Sequence, residues 1–265
     1  MDNLEFANHF LEPRRYGNII RDLNPLNRLN IFLVLGLSVF FVSKYQYGFF
    51  MVVLLFLIAA LAGRLKNYLS VYWKIMLLFG LFLFCVKAAF SPGVHMIFQL
   101  WGIHVSIESI QSGLSLISKV LSFSGVVVLF VQTTEWEDFT YALEQIGVPH
   151  TVSFVILSSF QTISDLGQSA NVIMDSQKAR GIETDGNLWK RAKAYIPVMG
   201  PLVINAVSGV EEKSIAMDAR AFSAPVQNSF LIELPKVTVK EKAFVILIDV
   251  LFVALVVGRI ALWLL

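Results

Sequence analysis

Two arginines occupy near-copies of one short motif. Met174-Asp175-Ser176-Gln177-Lys178-Ala179-Arg180-Gly181 and Ala216-Met217-Asp218-Ala219-Arg220-Ala221 each set an Arg between small residues, 40 positions apart. A guanidinium forks onto a carboxylate through two parallel hydrogen bonds and keeps its charge when partly buried. Taken alone, either motif reads as a helix end: Arg in a last turn complements the helix dipole, and the small residue after it provides the C-cap. Matched copies imply more, namely two equivalent cations presented to a two-fold or pseudo-two-fold partner.

Other chemistry is sparse. No GxxxxGK[ST] stretch occurs, so any nucleotide must be bound by partner chains. His9, His95, His104 and His150 are scattered, and the two in one loop, His95 and His104, have no thiol or carboxylate company to complete a metal site. A lipid-group transferase would set several acids on one helix face to hold Mg²⁺, and Asp165, Asp175 and Asp185 with nearby Arg are the candidates. Ten residues separate the first two, which puts them about 80° apart around a helix and about 15 Å apart along it, too far to share one ion. A secondary transporter would show repeated spans or paired broken half-helices, and neither is visible. The lone Cys85 supports neither a disulfide nor a CxxC site. No catalytic residue, metal ligand or cofactor site is therefore expected in this chain.

The elements that must position the arginines follow from composition. Of 265 residues, 56% are hydrophobic and 15% charged, against about 25% charged in soluble domains, so the solvent is a bilayer. The net charge of +2 is dispersed rather than gathered in a basic stripe, which excludes nucleic acid as a partner. The basic residues ahead of the first apolar run do not have the spacing of a cleaved signal, so that run is expected to be retained as a membrane anchor. Stretches near the ~20 residues that span a hydrocarbon core fall at Asn27–Ser43, Tyr47–Ala62, Trp73–Ala89, Ile107–Gln132 and Ala243–Leu265. Between Thr133 and Lys242 lie 110 residues interrupted by charges every few positions, expected in water or at the membrane surface. Basic residues crowd the N-terminal tail, the 63–74 loop and this long segment, while the 88–108 loop has none. By the positive-inside rule the N-terminus and the long segment are cytoplasmic and the C-terminus is outside. Lys87 and Arg259 lie near span ends and snorkel, whereas Lys119 and Asp249 sit deeper, where pairing inside a helix bundle is the plainest expectation.

Three helices are predicted in the polar segment. The first opens at Thr134 as N-cap with Glu137 in a capping-box position, carries Trp136, Phe139, Leu143 and Ile146 on one face, and ends at Gly147 and Pro149. The second runs from about Thr151 to Ala179 or Arg180, with Ile163, Leu166, Ala170, Ile173 and Gln177 on one stripe and Gly181 as its stop. The third starts at Asn187, is kinked or delayed by Pro197 and Pro201, and reaches Arg220 or Phe222 before Pro225, with Val203, Val207, Val210, Ser214 and Met217 on a stripe. Small residues on both stripes predict that these two helices cross closely. The fold expected is an all-α membrane protein of about five transmembrane helices plus three cytoplasmic coupling helices, the last two long and crossed. Its parts are residues 1–132 with four spans, the 133–242 coupling module, and residues 243–265 as the fifth span.

This pattern resembles the transmembrane T component of energy-coupling factor (ECF) transporters, the EcfT/CbiQ family of ABC-type micronutrient importers. Ala179-Arg180-Gly181 and Ala219-Arg220-Ala221 match its paired Ala-Arg-Gly signatures, with Ala221 in place of Gly, and Leu23-Asn24-Pro25-Leu26-Asn27-Arg28-Leu29 is similar to its Leu-Asp-Pro lead-in to the first span. The run from Pro197 to Leu202 followed by Ala216-Met217 also resembles the approach to the second signature. The resemblance implies a non-catalytic subunit of the prokaryotic cell membrane that joins two cytoplasmic ABC ATPases, a heterodimer of the EcfA type, to a small membrane S component for uptake of a vitamin or other micronutrient. ATP and Mg²⁺ would be bound by those ATPases. Arg180 would dock in one and Arg220 in the other, and Ile163, Leu166, Ala170, Ile173, Val203, Val207, Val210 and Met217 would serve the helix crossing and the S-component contact.

Overall fold

The computed structural model describes residues 15–42, 44–90, 96–100, 103–181, 187–222, 224, 234–235 and 237–264. His9, His95, Asp185 and Pro225 lie outside them. In chain order the elements are α1 (Pro25–Phe41), α2 (Tyr45–Leu61), α3 (Leu65–Ile75, a π turn at Met76–Gly80, then Leu81–Phe90), β1 (Met96–Leu100), β2 (Ile103–Ser106), α4 (Ile107–Thr133), α5 (Trp136–Gln145), α6 (His150–Ala179), α7 (Leu188–Ala219) and α8 (Val239–Leu264). This is an all-α membrane protein. Its one departure among the described residues is a short antiparallel hairpin, β1–β2, within what the sequence suggests is a plain loop at 88–108.

Among the described residues, four helical segments are long and apolar enough to cross a membrane: Leu65–Lys87, Ile107–Thr133, Lys193–Ala219 and Val239–Leu262. The third of these lies in the segment expected in water or at the surface; its length and composition also suit a bilayer. Helices α1 and α2 have 17 residues each, somewhat short of the ~20 that span a core.

Two compact units divide the chain: Met1–Ile146 with Leu231–Leu265, and Gly147–Phe230. Helix α5 falls in the first of these units.

In the first unit α4 is the central helix, packed on α1, α2 and α3. It begins with a reciprocal capping box between Ser106 and Ser109, and its buried face is built from small residues, including Ser109, Gly113, Ser118, Ser122 and Gly125. Small side chains let neighbouring backbones approach, the usual packing device where lipid removes the hydrophobic drive between helices. At the α2 crossing, Ser122 Oγ donates to the Gly48 carbonyl at 2.8 Å, and a Cβ at Gly48 would fall 2.5 Å from Ser118 Cβ. Gly48→Ala is expected to destabilise the chain by ~1–3 kcal/mol through overpacking; thermal unfolding in detergent checks this, and an unchanged midpoint contradicts the close crossing.

The third span begins at Leu65, eight residues before the Trp73 start that apolar content suggests. Tyr68 and Tyr72 explain the difference. Both are buried, stacked at 5.3 Å and met edge-on by Phe56, while Lys66 and Lys74 stay exposed on the same helix. An amphipathic first half therefore folds as helix although its hydropathy is low.

Helix α1 starts as the Leu23-Asn24-Pro25 pattern suggests: Asn24 Oδ1 accepts from the Leu26 N–H at 3.0 Å and Pro25 occupies the first turn. Four residues later Arg28 is buried, 3% exposed. Its Nη1 donates to the Thr133 carbonyl and, at 3.1 Å, to Thr134 Oγ1; its Nη2 donates to the carbonyls of Arg21 at 2.6 Å and Leu23 at 2.8 Å. One guanidinium thus ties the lead-in to α1 onto the α4–α5 junction. Thr134 is consequently not the N-cap of α5: it caps the end of α4, α5 starts at Trp136 after Glu135, and no side-chain cap bond forms there. Tyr16 secures the same junction. Its hydroxyl donates to Asp138 on α5 at 2.9 Å; burial and that bond push the phenol up, so it stays protonated through neutral pH.

Helices α1 and α8 run parallel. Asn24 N–H and Asn27 Nδ2 donate to Glu241 Oε1 at 2.9 and 2.7 Å, Asn30 Nδ2 donates to both Asp249 carboxylate oxygens at 2.9 and 3.0 Å, and Phe41 meets Phe252 edge-on at 5.8 Å. Asp249, deep in an apolar helix, is accordingly held by Asn30.

Candidate functional site

The second unit carries both Arg motifs. Helix α6 opens on His150 after Pro149, with Gly147 at φ +102° turning the chain into it. Helix α7 starts at Leu188 after Asn187, and Pro197 and Pro201 lie inside it without delaying its start. The two helices pack in antiparallel sense. Phe222, just past α7, contacts His150 and Phe154 in the first turns of α6 at ring distances of 5.2 and 4.9 Å, and Lys213 Nζ pairs with Asp165 at 3.6 Å further along.

Both helices end in the same way. Arg180 and Arg220 are the C-cap residues, and the residue after each is left-handed: Gly181 at φ +87°, Ala221 at φ +56°. At the second end the Ala221 N–H donates to the Asp218 carbonyl at 3.0 Å and the Phe222 N–H to the Met217 carbonyl at 3.1 Å, the paired bonds of a Schellman motif. Phe222, the last residue of this motif, also packs its ring on His150 and Phe154 of α6. At the first end the Gly181 N–H donates to the Lys178 carbonyl at 2.9 Å. Replacing Gly by Ala thus preserves the cap geometry at Arg220, with a steric cost of ~1–2 kcal/mol. Ala221→Gly is expected to raise stability by about 0.5–1 kcal/mol and Gly181→Ala to lower it comparably; chemical denaturation of the two variants checks the opposite signs.

Ala179, Arg180, Gly181, Ala219, Arg220 and Ala221 are all exposed. Arg220 closes α7 beside the first turn of α6, whereas Arg180 closes α6 itself, a helix of 30 residues, or about 45 Å at 1.5 Å per residue. The two cations stand at opposite ends of the helix pair, too far apart to serve one small ligand.

The predicted stripes divide. On α6, Leu166, Ala170 and Ile173 are half-buried and Gln177 is buried, but Ile163 is 67% exposed. On α7, Met217 is half-buried, whereas Val203, Val207 and Val210 are exposed by 58%, 64% and 62%. The covered stripe on α7 is instead Ala194, Val198, Leu202, Ala206, Gly209 and Met217. The valines lie one position off it, a rotation of ~100°. Spacing alone favours either set, because apolar residues cover more than one face of this helix. The acids weighed as an Mg²⁺ site are engaged singly: Asp165 with Lys213, and Asp175 with Lys178 at 3.3 Å.

These features, an apolar helix bundle together with a long helix pair ending in twin exposed arginines, define a membrane-embedded protein built to meet other chains. The model of the CbiQ family, described as cobalt transport protein, matches residues 17–230, and the chain belongs to that family. It is similar to the energy-coupling factor transporter transmembrane protein EcfT of Lactococcus lactis subsp. cremoris, at 29% identity over 77% of this chain and 80% of the relative. The proteins of the same name from Thermosediminibacter oceani (23% identity, 78% of this chain, 81% of the relative) and Staphylococcus aureus (26%, 57% and 60%) are also similar.

Proposed function

We propose that the chain is the coupling subunit of an ECF-type ABC importer of a prokaryotic cell membrane. In this reading it binds two cytoplasmic ATPases through Arg180 and Arg220, holds a small substrate-binding S component, and passes ATP-driven motion of the former to the latter for uptake of a vitamin or other micronutrient. It performs no catalysis itself; ATP and Mg²⁺ reside in the ATPases. The observation that carries the reading is the pair of equivalent, exposed Arg C-caps at opposite ends of one antiparallel helix pair. One ATPase can take each end, and a change in the distance between them levers the helices as rigid bodies. Ile163, Val203, Val207 and Val210 are the exposed apolar positions for the S component, and Leu166, Ala170, Ile173 and Met217 serve the crossing. The same reading places the N-terminus and the helix pair in the cytoplasm and the C-terminus outside, following the basic residues.

Gentle detergent extraction of the tagged chain from its own cells tests this. The expected result is recovery of two ATPase chains and one small membrane protein. Recovery of the chain alone, with intrinsic turnover or transport, rejects it.

A further inference from the structure

A cavity of about 770 Å³ lies within the first unit, between α1, α2, α8 and the segment leading into α1, within the ~300–1,000 Å³ range of small-molecule sites. Its lining is sorted along the helices. Ile31, Phe32 and Leu35 of α1, Leu54 of α2, and Phe244 and Ile248 of α8 form an apolar channel. Asp22, Arg28, Thr238, Lys240 and Glu241 gather at the end where α1 and α8 both begin. That is the arrangement of an amphiphile site, with a greasy slot parallel to the helices and a polar mouth at their starts.

The mouth carries two cations and two carboxylates, so its formal charge is zero. Its groups are also incompletely used. Lys240 Nζ and the Thr238 hydroxyl have no hydrogen-bond or ionic partner among the described residues. Glu241 accepts two bonds, both on Oε1, which leaves Oε2 open. Arg28 Nε is a buried donor without an acceptor. Lys240 and Thr238 are exposed and Glu241 is half-buried, so these three can meet a headgroup at the mouth, while the buried Arg28 Nε is a donor that is costly to leave unpaired. A purely anionic headgroup would satisfy the cations and be repelled by Asp22 and Glu241. Arg28 is engaged by four acceptors and Asp22 by the N–H groups of Tyr16 and Asn18, so Lys240 and Glu241 are the charges left for a ligand, and a headgroup with both signs suits them.

We propose that this cavity binds one zwitterionic phospholipid with a primary-amine headgroup. An acyl chain fills the slot along Ile31, Leu35, Phe244 and Ile248. The phosphate accepts from Lys240 Nζ and Thr238 Oγ1, and the ammonium donates to Glu241 Oε2. The lipid then packs along the seam of the parallel helices α1 and α8, beside their Asn–carboxylate pairs.

The test is native mass spectrometry of the full chain released from nanodiscs of equimolar phosphatidylethanolamine and phosphatidylglycerol, repeated with Lys240→Glu and Leu35→Trp. Lys240 is exposed, so its variant folds even where the Trp variant does not. One retained phosphatidylethanolamine per chain is expected, with retention falling about tenfold in Lys240→Glu for loss of one ionic contact worth ~1.4 kcal/mol. Retention in the folded Leu35→Trp chain falls to the level of bulk lipid. No retained lipid, equal or preferred retention of phosphatidylglycerol, or undiminished retention in Lys240→Glu overturns the proposal. So does absence of the lipid from chain isolated within its complex together with a protein cross-link to position 35, which would show a partner helix in the slot.

Discussion

On the proposed function, reversing both charges, Arg180→Glu with Arg220→Glu, is expected to abolish recovery of ATPase subunits with the chain and to lower coupled uptake by about a thousandfold, with each single change lowering it about thirtyfold or more. The magnitude follows from the cost of removing one partner of a desolvated, hydrogen-bonded charge pair across an interface, 2–5 kcal/mol or more, at ~1.4 kcal/mol per tenfold. Membrane insertion and folding should be preserved. Both side chains are exposed, and the cap bonds at each end use backbone groups. The residual effect on the chain itself is an anion at a helix C-terminus, unfavourable by about 0.3–1 kcal/mol. Arg→Lys at either site should retain only part of the function, because an ammonium keeps the charge but loses the planar fork. Co-purification and uptake into proteoliposomes check the series. Wild-type uptake by the double variant rejects docking through these residues.

Arg28→Met is expected to lower stability by about 2–5 kcal/mol, because several acceptors lose their donor at once and each one left unsatisfied is costly. Three carbonyls, of Arg21, Leu23 and Thr133, and the Thr134 hydroxyl lose their donor together, each buried group left unsatisfied costing about 1–3 kcal/mol before relaxation. Met fills much of the volume, so the loss reports hydrogen bonding rather than a cavity. Arg28→Lys should recover only part of it, since one ammonium reaches fewer of four acceptors set around a fork. Thermal unfolding of the purified variants in detergent measures this. A midpoint within a degree or two of wild type contradicts the central role of Arg28.

Arg28 also illustrates why part of the molecule was hidden in its sequence. As text it is one of four basic residues ahead of an apolar run, and it counts toward topology. Nothing local indicates that its guanidinium turns inward to bond one carbonyl and one hydroxyl more than 100 positions away. Thr134 is the converse case: with Glu137 three residues on it has the form of a capping box, but its hydroxyl accepts from Arg28 and the helix starts two residues later. The third span is misplaced by hydropathy for a related reason. Tyr68, Tyr72 and the flanking lysines lower the local average, although the two rings are among the most buried in the chain.

By itself the sequence determined that this chain is an all-helical membrane protein, where its two longest polar-segment helices stop, and that each stops on an Arg between small residues. Those properties are local, written in apolar run lengths and in cap chemistry acting within one turn. Only the tertiary structure decided that the two arginines stand at opposite ends of an antiparallel pair, that Leu202 and Ala206 rather than Val203 and Val207 are covered, and that Asp249 is held by Asn30. Each depends on which helix lies alongside which and at what rotation. A helix with apolar residues on several faces leaves that choice to its neighbours.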